Sequence, residues 1–245
     1  MRALCICSGL VAIACIIHAT PAHADDEMEP SRVPDREKPH TLASLEGGII
    51  ALPGAPISAA QRGGNVPFTP VGQGDATLQM GVRLLYRGGP LWSIGAGALY
   101  GPNPTSDDQY GGASGLKRSH SRSYLTLGVE GRIIPLRYGA FEGWAGGMVG
   151  GVVVLDRFKT DAGPQTPQFL GEKDLTIRTE GLTVGVEIGG TYYFGESWSV
   201  GLTGRAHQWF LPDTPSCNPI GDCATLSGSV QAYELALSVS YRIPL

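Results

Sequence analysis

Beyond its first residues, the chain lacks any long apolar run. No segment after residue 24 approaches the roughly 20 consecutive apolar residues of a membrane-spanning helix, so we exclude a helical membrane protein. Charge is also sparse, because charged residues make up 16% of the chain and the formal net charge is −4. A mildly acidic chain is a poor match for nucleic acid, and we exclude that class of partner as well.

Lysine is rare, and its placement is informative. The lysines are Lys38, Lys117, Lys159 and Lys173, and all of them lie outside the strands that we predict below. Soluble β-proteins normally place lysine on the outer faces of their strands. The pattern therefore indicates that the outer strand faces of this chain are not solvated.

The N-terminus carries the one pronounced apolar run. It covers residues 3–17, and Ala22-His23-Ala24 follows before an acidic stretch. A short apolar core before a small-x-small sequence is typical of a secretory signal peptide, residues 1–24, cleaved after Ala24. A lipoprotein signal ending at Cys15 is the alternative. Residues 25–40 are acidic and contain proline without an apolar period, which predicts a flexible periplasmic tail.

Removal of the signal leaves Cys217 and Cys223 as the remaining cysteines. Exported chains meet an oxidising environment, and two cysteines so close in sequence most simply form a small disulfide ring. The residues between them are rich in turn formers, which places the ring on a loop. A zinc pair is the alternative, but no third and fourth ligands lie nearby. We predict a disulfide, no metal and no cofactor.

The remainder of the chain alternates apolar and polar side chains, as strands with two different faces do. In the last stretch, Tyr233 to Leu245, the odd positions are apolar or aromatic, whereas the even ones are polar or small until Pro244. Eight such segments are predicted. They are Thr41–Leu52, Ala76–Arg87, Leu91–Gly101, Ser121–Leu136, Ala140–Phe158, Asp174–Phe194, Trp198–Leu211 and Ser227–Leu245.

The connections between these segments alternate between long and short. Membrane barrels of the outer-membrane type have an even number of strands, short periplasmic turns and long outer loops. Such a barrel has to close, because each unpaired backbone group in hydrocarbon costs several kcal/mol. In strand six, Leu175 and Ile177 have the opposite parity to Leu182 and its successors. This predicts either a bulge near Thr179–Gly181 or a strand that projects beyond the membrane.

A soluble lipocalin-like barrel or a two-sheet sandwich would share the alternation, but the polar positions distinguish them. Isolated charges of both signs separated by small residues fit the narrow interior of an eight-stranded barrel. Arginine facing lipid near the midplane would cost roughly 2–4 kcal/mol, so these charges must face inward and pair. The predicted interior charges are Glu46, Arg83, Glu130, Arg132, Glu142, Glu187, Arg205, Glu234 and Arg242. We predict two ion pairs, Glu187 with Arg205 and Arg132 with Glu142.

Aromatic side chains cluster near both ends of the predicted strands, as in the aromatic girdles at the two membrane interfaces. Those near the short turns are Tyr86, Trp92, Tyr138, Phe141, Tyr192, Phe194, Trp198 and Tyr241. Those near the long loops are Tyr100, Tyr124, Phe158, Trp209, Phe210 and Tyr233.

Over residues 41–245, this pattern resembles the OmpA/OmpX-type eight-stranded outer-membrane β-barrels, whose usual final Phe is Leu245 here. The resemblance implies an all-β fold, a closed antiparallel up-and-down eight-stranded transmembrane barrel. It also implies a location in the outer membrane of a Gram-negative-type bacterium. The implied partners are outer-membrane lipid and lipopolysaccharide, and the barrel-assembly machinery, which would bind the C-terminal strand.

Proteins of this architecture serve several functions, so fold does not decide among them. Our first hypothesis is a non-enzymatic barrel with a structural or surface-interaction role carried by its long outer loops. The alternative is a narrow pore or a carrier for a small hydrophobic molecule. A lipid A-modifying enzyme is disfavoured, because the resembling deacylases carry His-x-Ser, whereas Arg122 stands two positions after His120. His207 shares the inward parity of Arg205 and is interpreted as an interior residue.

Overall fold

A computed structural model describes residues 39–56, 73–110, 118–160, 174–217 and 223–244. The predicted signal peptide, the alternative lipoprotein site at Cys15 and nearly all of the predicted tail lie outside these ranges. In the parts of the chain described, no helix is long and apolar enough to cross a membrane.

Eight strands form a closed antiparallel barrel in which each strand pairs with its neighbours in sequence and β8 pairs with β1. This confirms the predicted fold class and strand count. The strands are β1 His40–Pro56, β2 Gln73–Gly89, β3 Trp92–Tyr110, β4 Arg118–Tyr138, β5 Phe141–Thr160, β6 Asp174–Phe194, β7 Trp198–Phe210 and β8 Ser229–Pro244.

Three tight turns at one end of the barrel fix the register of the hairpins. Gly139 adopts φ 54° between β4 and β5, and Gly195 adopts φ 82° between β6 and β7. Glycine occupies this left-handed region without the steric cost that other residues meet. Pro90 and Leu91 form the turn between β2 and β3. We call this the turn end of the barrel, and the opposite end the loop end.

Strands β1 to β5 extend further toward the loop end than the sequence predicts, whereas β6 begins where predicted and β7 and β8 are one and two residues shorter there. β1 reaches Pro56 and β3 reaches Tyr110, while β1 begins at His40, one residue before the predicted start of the barrel. Lys159 was predicted to lie outside the strands, but it is an exposed residue of β5. Beyond the lipid, a strand no longer needs apolar residues on its outer face, so the apolar pattern underestimates its length.

The predicted bulge in β6 is wrong. The register between β5 and β6 is continuous from the Lys159–Asp174 pair to the Phe141–Tyr192 pair. Ile177 keeps the inward orientation and packs with Phe158. The alternative prediction, a strand that projects beyond the membrane, fits this geometry, because Ile177 faces inward there while Thr176, Arg178 and Glu180 face outward and are exposed.

The middle of the barrel is apolar on the outside. Large apolar side chains of all eight strands are exposed there, among them Leu78 at 71% and Val186 at 66% of their full exposure. A closed barrel with an apolar exterior and a polar interior is the arrangement that spans an outer membrane. We call this exterior surface the lipid belt.

Candidate functional site

The interior of the barrel holds the predicted charges. The buried members are Glu46, Arg83, Glu130, Glu142, Glu187, Arg205 and Glu234, while Arg132 and Arg242 are partly buried. All lie on inward-facing positions, because strand alternation places every second side chain in the lumen.

Glu187 lies where several of these charges meet. Its Oε2 accepts hydrogen bonds from Arg83 Nη1 at 3.1 Å and from Arg205 Nε at 3.3 Å. Its Oε1 accepts from Arg132 Nε at 3.1 Å. The predicted Glu187–Arg205 ion pair is therefore present, and the two residues are direct cross-strand partners. Charge-assisted hydrogen bonds of this kind are the strong ones in a protein interior.

Other carboxylates complete this network. Glu130 contacts Arg83 Nη1 at 2.6 Å, and Glu46 contacts Arg205 Nη2 at 2.7 Å. Glu234 lies 3.2 Å from Arg205 Nη1. Buried charges are tolerated only when they are paired. In this network each buried charge contacts one of opposite sign, so the charged side chains can fill the lumen.

The predicted ion pair between Arg132 and Glu142 is wrong. Arg132 contacts Glu130 and Glu187, and its guanidinium lies 3.7 Å from the ring centroid of Trp144. Arg132 pairs with Gly146, which is four residues away from Glu142 along β5. The register of β4 against β5 also shifts between Ile133 and Leu136, that is, between Arg132 and the residue that pairs with Glu142. A diagonal contact cannot span this separation.

Glu142 pairs instead with Arg87, which sequence reasoning missed. Arg87 Nη1 lies 2.7 Å from Glu142 Oε2, and the Tyr193 hydroxyl donates to the same oxygen at 2.9 Å. Arg87 also donates to the carbonyl oxygens of Gly89 and Pro90 in the turn. Its parity matches that of Arg83, and this signal could have identified it.

An apolar layer closes the lumen on the loop-end side of the network. Trp209 is fully buried against Tyr124, with ring centroids 5.3 Å apart. Ile50, Leu52 and Leu226 belong to the same cluster. Leu226 comes from the connection after β7, so part of that connection enters the mouth of the barrel.

The predicted aromatic girdle at the loop end is partly wrong. Tyr124, Phe158 and Trp209 are buried in the interior. The error comes from grouping aromatic residues by their height along the strand without regard to parity. The exposed members of the two predicted rows are Tyr86, Trp92, Tyr138, Phe141, Tyr192, Phe194, Trp198 and Tyr241 at the turn end, and Tyr100, Phe210 and Tyr233 at the loop end.

A polar cluster lies in the mouth, beyond the apolar layer. Asp156 Oδ1 is 2.8 Å from His120 Nε2 and accepts a hydrogen bond from the Thr225 hydroxyl at 2.6 Å. Asp156 Oδ2 accepts from the backbone N–H of Thr225 at 3.1 Å. The His120 ring stacks on Phe158, with centroids 4.8 Å apart. Asp156 thus fixes Thr225, and with it the connection after β7, in the mouth.

Arg122 links this cluster to β2. Its Nη1 donates to the Thr225 hydroxyl at 2.8 Å and its Nη2 donates to Asp75 at 2.6 Å. The Tyr124 hydroxyl donates to the same Asp75 oxygen. Burial opposes the charged form of Arg122, but the carboxylates of Asp75 and Asp156 hold its pKa above the ordinary value. Arg122 therefore remains a cation in the projecting part of the barrel.

The connection after β7 also contains the predicted disulfide. Cys217 and Cys223 are bonded, and the following residues Ala224 and Leu226 are buried. Across the described ranges, no group of three or more His, Cys, Asp or Glu residues is placed to hold a metal ion.

Comparison with known proteins found similarity only at the level of structure. No protein-family model matches the chain, and no curated protein sequence matches it. Neisserial surface protein A has a similar structure at 10% identity, covering 84% of this chain and 97% of that chain, with a TM-score of 0.46. A major outer membrane protein of Thermus thermophilus has 15% identity, with 83% and 99% covered and a TM-score of 0.49.

A further similar structure is Ail, the attachment invasion locus protein of Yersinia pestis, in complex with the heparin analogue sucrose octasulfate. It has 8% identity, with 84% of this chain and 99% of that chain covered and a TM-score of 0.45. The assignment of the chain rests on its own architecture. Its strand number, its closure and its apolar exterior make the chain an eight-stranded outer-membrane β-barrel, the architecture that the OmpA/OmpX resemblance predicts.

Proposed function

We propose that the protein is a non-enzymatic outer-membrane barrel that acts at the cell surface through its outer loops. The observation that carries this proposal is the filled interior. The ion network around Glu187, the apolar layer around Trp209 and the mouth cluster around Asp156 follow one another along the lumen. The interior therefore serves as a structural core, and the outer surface is left for interaction.

The filled interior also disfavours the alternative of a narrow pore or carrier that works through the lumen. Small barrels fill their interiors with side chains, whereas only larger ones hold open aqueous channels. An ion crossing this barrel would have to displace Trp209 and Leu226, which are 0% and 1% exposed. It would also have to separate buried ion pairs, and breaking such pairs is costly.

The mouth cluster does not support hydrolytic chemistry. A nucleophile–base–acid arrangement needs the nucleophile to hydrogen-bond to the imidazole. Here the Thr225 hydroxyl donates to Asp156 instead, and His120 is fully buried. Within the described residues, His120 Nδ1 has no hydrogen-bond partner. His207 contacts Glu234 in the ion network, which supports a structural role for it.

The proposal is tested by reconstituting the predicted mature chain, residues 25–245, in planar bilayers and recording its conductance. Folded material is first verified by faster migration of the unboiled band on a dodecyl sulfate gel. We expect no channel openings from the wild type. Regular single-channel steps from folded wild-type protein would contradict the proposal and establish the pore alternative.

The surface role is tested separately by shortening the outer connections. Variants in which residues 57–72 or 161–173 are replaced by a short Gly-Ser linker keep all eight strands. We expect them to fold and to lose attachment of expressing cells to epithelial cells and matrix proteins, relative to wild type. Unchanged attachment in both variants would contradict a role of these loops.

A further inference from the structure

The barrel is not paired over its full length at the joint between its first and last strands. Pairing of β1 with β8 ends at the Ala51–Tyr233 pair. Yet β1 continues to Pro56 on the edge of β2, and β8 begins at Ser229 on the edge of β7. The two strands therefore diverge at the loop end. We call this gap, between residues 52–56 and 229–232, the β1–β8 wedge.

A cavity of about 410 Å³ occupies the wedge. Gly54 and Ala55 line it from β1, Val230 and Gln231 from β8, and Leu226 from the connection that closes the mouth. Leu226 also belongs to the buried apolar layer, whereas the lining residues Ser229 and Gln231 are exposed. The cavity therefore extends from the apolar layer to the outer surface of the barrel.

The wedge begins at the edge of the lipid belt. Leu235 and Ile49 are exposed belt residues and form a cross-strand pair just below it. Tyr233, at the last β1–β8 pair, and Phe210 are exposed aromatic residues at the same end. Exposed aromatic rings collect at the interface between hydrocarbon and headgroups. A molecule with its chain in the outer half of the bilayer would present its polar end to the wedge.

The lining determines which polar end fits. None of the described residues that line the cavity is charged. Gln208 and Gln231 contribute amide groups, and Ser229 contributes a hydroxyl, while Ala55 and Val230 supply apolar surface. Gln208 donates to Ser229 Oγ at 2.6 Å and to the Val230 carbonyl at 3.1 Å, which holds this wall in place.

We propose that the β1–β8 wedge is a binding site for a neutral amphiphile. Its hydroxyl- or amide-bearing headgroup enters the cavity, and its alkyl chain lies over the belt at Ile49 and Leu235. Hydroxyl and amide groups would hydrogen-bond to the glutamines, the serine and the strand-edge backbone. Thr225 also lines the cavity, but the Arg122 guanidinium behind it is already paired with Asp75. An ionised headgroup would therefore lose its hydration in the cavity without gaining an unpaired opposite charge, which is costly. This site is independent of the proposed surface role of the loops.

The test uses two photoreactive probes with the same dodecyl chain and a diazirine beside the headgroup, one a maltoside and the other a phosphate. The full mature chain is placed in phosphatidylcholine nanodiscs, irradiated with each probe, and the labelled peptides are identified by mass spectrometry. We expect the maltoside to label residues 52–56 and 229–232 above its labelling of the belt. We expect the phosphate to label the belt alone.

Two glycines of β1 provide a matched pair of variants. A Cβ added at Gly54 or at Gly47 would meet no atom within 4 Å, and both residues are exposed. Gly54→Leu places its side chain in the wedge, and we expect it to abolish maltoside labelling there. Gly47→Leu places its side chain on the lipid belt, and we expect wedge labelling to persist.

Both variants are verified as folded by their gel mobility without boiling. The proposal is overturned if the wedge of the wild type is not labelled above the belt, or if the phosphate probe labels it equally. It is also overturned if labelling survives in folded Gly54→Leu.

Discussion

Glu187 is the residue on which the interior ion network converges. It is 2% exposed and accepts hydrogen bonds from Arg83, Arg132 and Arg205. These arginines come from three different strands, β2, β4 and β7, while Glu187 itself is on β6. One carboxylate therefore connects opposite walls of the barrel, and its charge offsets part of the repulsion among the guanidinium groups.

Glu187→Gln keeps the shape of the side chain but removes its charge. We expect the free energy of unfolding to fall by about 3–5 kcal/mol, because the arginines lose a buried counter-charge. The measurement is urea-dependent unfolding in phospholipid vesicles, followed by tryptophan fluorescence. The control is Glu180→Gln on the same strand.

Glu180 pairs with Arg178 at 2.7 Å, but its side chain is 63% exposed. Solvent weakens such surface pairs, so we expect its replacement to change stability by less than about 1 kcal/mol. Equal losses in the two variants would show that the Glu187 network does not contribute more than a surface pair.

Two of the interior ion pairs show which side-chain contacts the sequence can predict and which it cannot. The Glu187–Arg205 pair was predictable because Gly195 lies in a tight turn that fixes the register of β6 and β7. The partners of Arg132 were not predictable, because they depend on an irregularity in β4 and on contact across the lumen with β6. Alternation reveals which face a charge occupies, but contact across the lumen also depends on the tilt and stagger of the strands.

At the scale of elements, the connection between β7 and β8 closes the mouth of the barrel. Asp156 accepts two hydrogen bonds from Thr225 and contacts His120. Ala224 and Leu226, on either side of Thr225, are buried. A short segment is thus fixed by polar contacts at one residue and by apolar contacts at its neighbours.

Asp156→Asn should release this segment. The amide of Asn cannot accept on both positions that bond Thr225, so we expect amide exchange of residues 224–226 to accelerate by at least about tenfold. Hydrogen-exchange mass spectrometry of the protein in micelles measures this effect. Asp213→Asn is the matched control, because Asp213 is an exposed residue of the same connection. Unchanged amide exchange of residues 224–226 in Asp156→Asn would contradict the conclusion that Asp156 holds this segment in place.

The strands themselves illustrate what alternation can and cannot reveal. It predicted eight strands in hairpin order, because each has one apolar and one polar face along the lipid belt. It did not predict that Trp209 and Tyr124 would pack inside, since both are aromatic residues near a strand end. Nor did the cavity beside Gly54 have a sequence signal, because it depends on where β1 and β8 stop pairing.

At the scale of the whole molecule, the surroundings of the barrel change along its axis. Along β6, Val186 and Ile188 are exposed on the lipid belt, whereas Thr176 and Arg178 are exposed on the same face of the projecting part. The two halves of one strand face are therefore adapted to different solvents, hydrocarbon and water. Glu180, on the same face, is also charged and exposed, so this change locates the outer limit of the lipid between Glu180 and Leu182.

The cost in folding free energy of an arginine on the outward face of β6 should show on which side of the lipid edge each position lies. Val186→Arg inserts a charge into the belt, and we expect it to cost about 2–4 kcal/mol of folding free energy in vesicles, compared with about 0–1 kcal/mol for Thr176→Arg. Both positions are exposed and face outward from the same strand, so neither replacement disturbs the interior. Urea titration of folding into phosphatidylcholine vesicles measures both costs. If the two costs were equal, β6 would not cross a lipid boundary between these residues, whereas the expected difference would place the boundary between Thr176 and Val186.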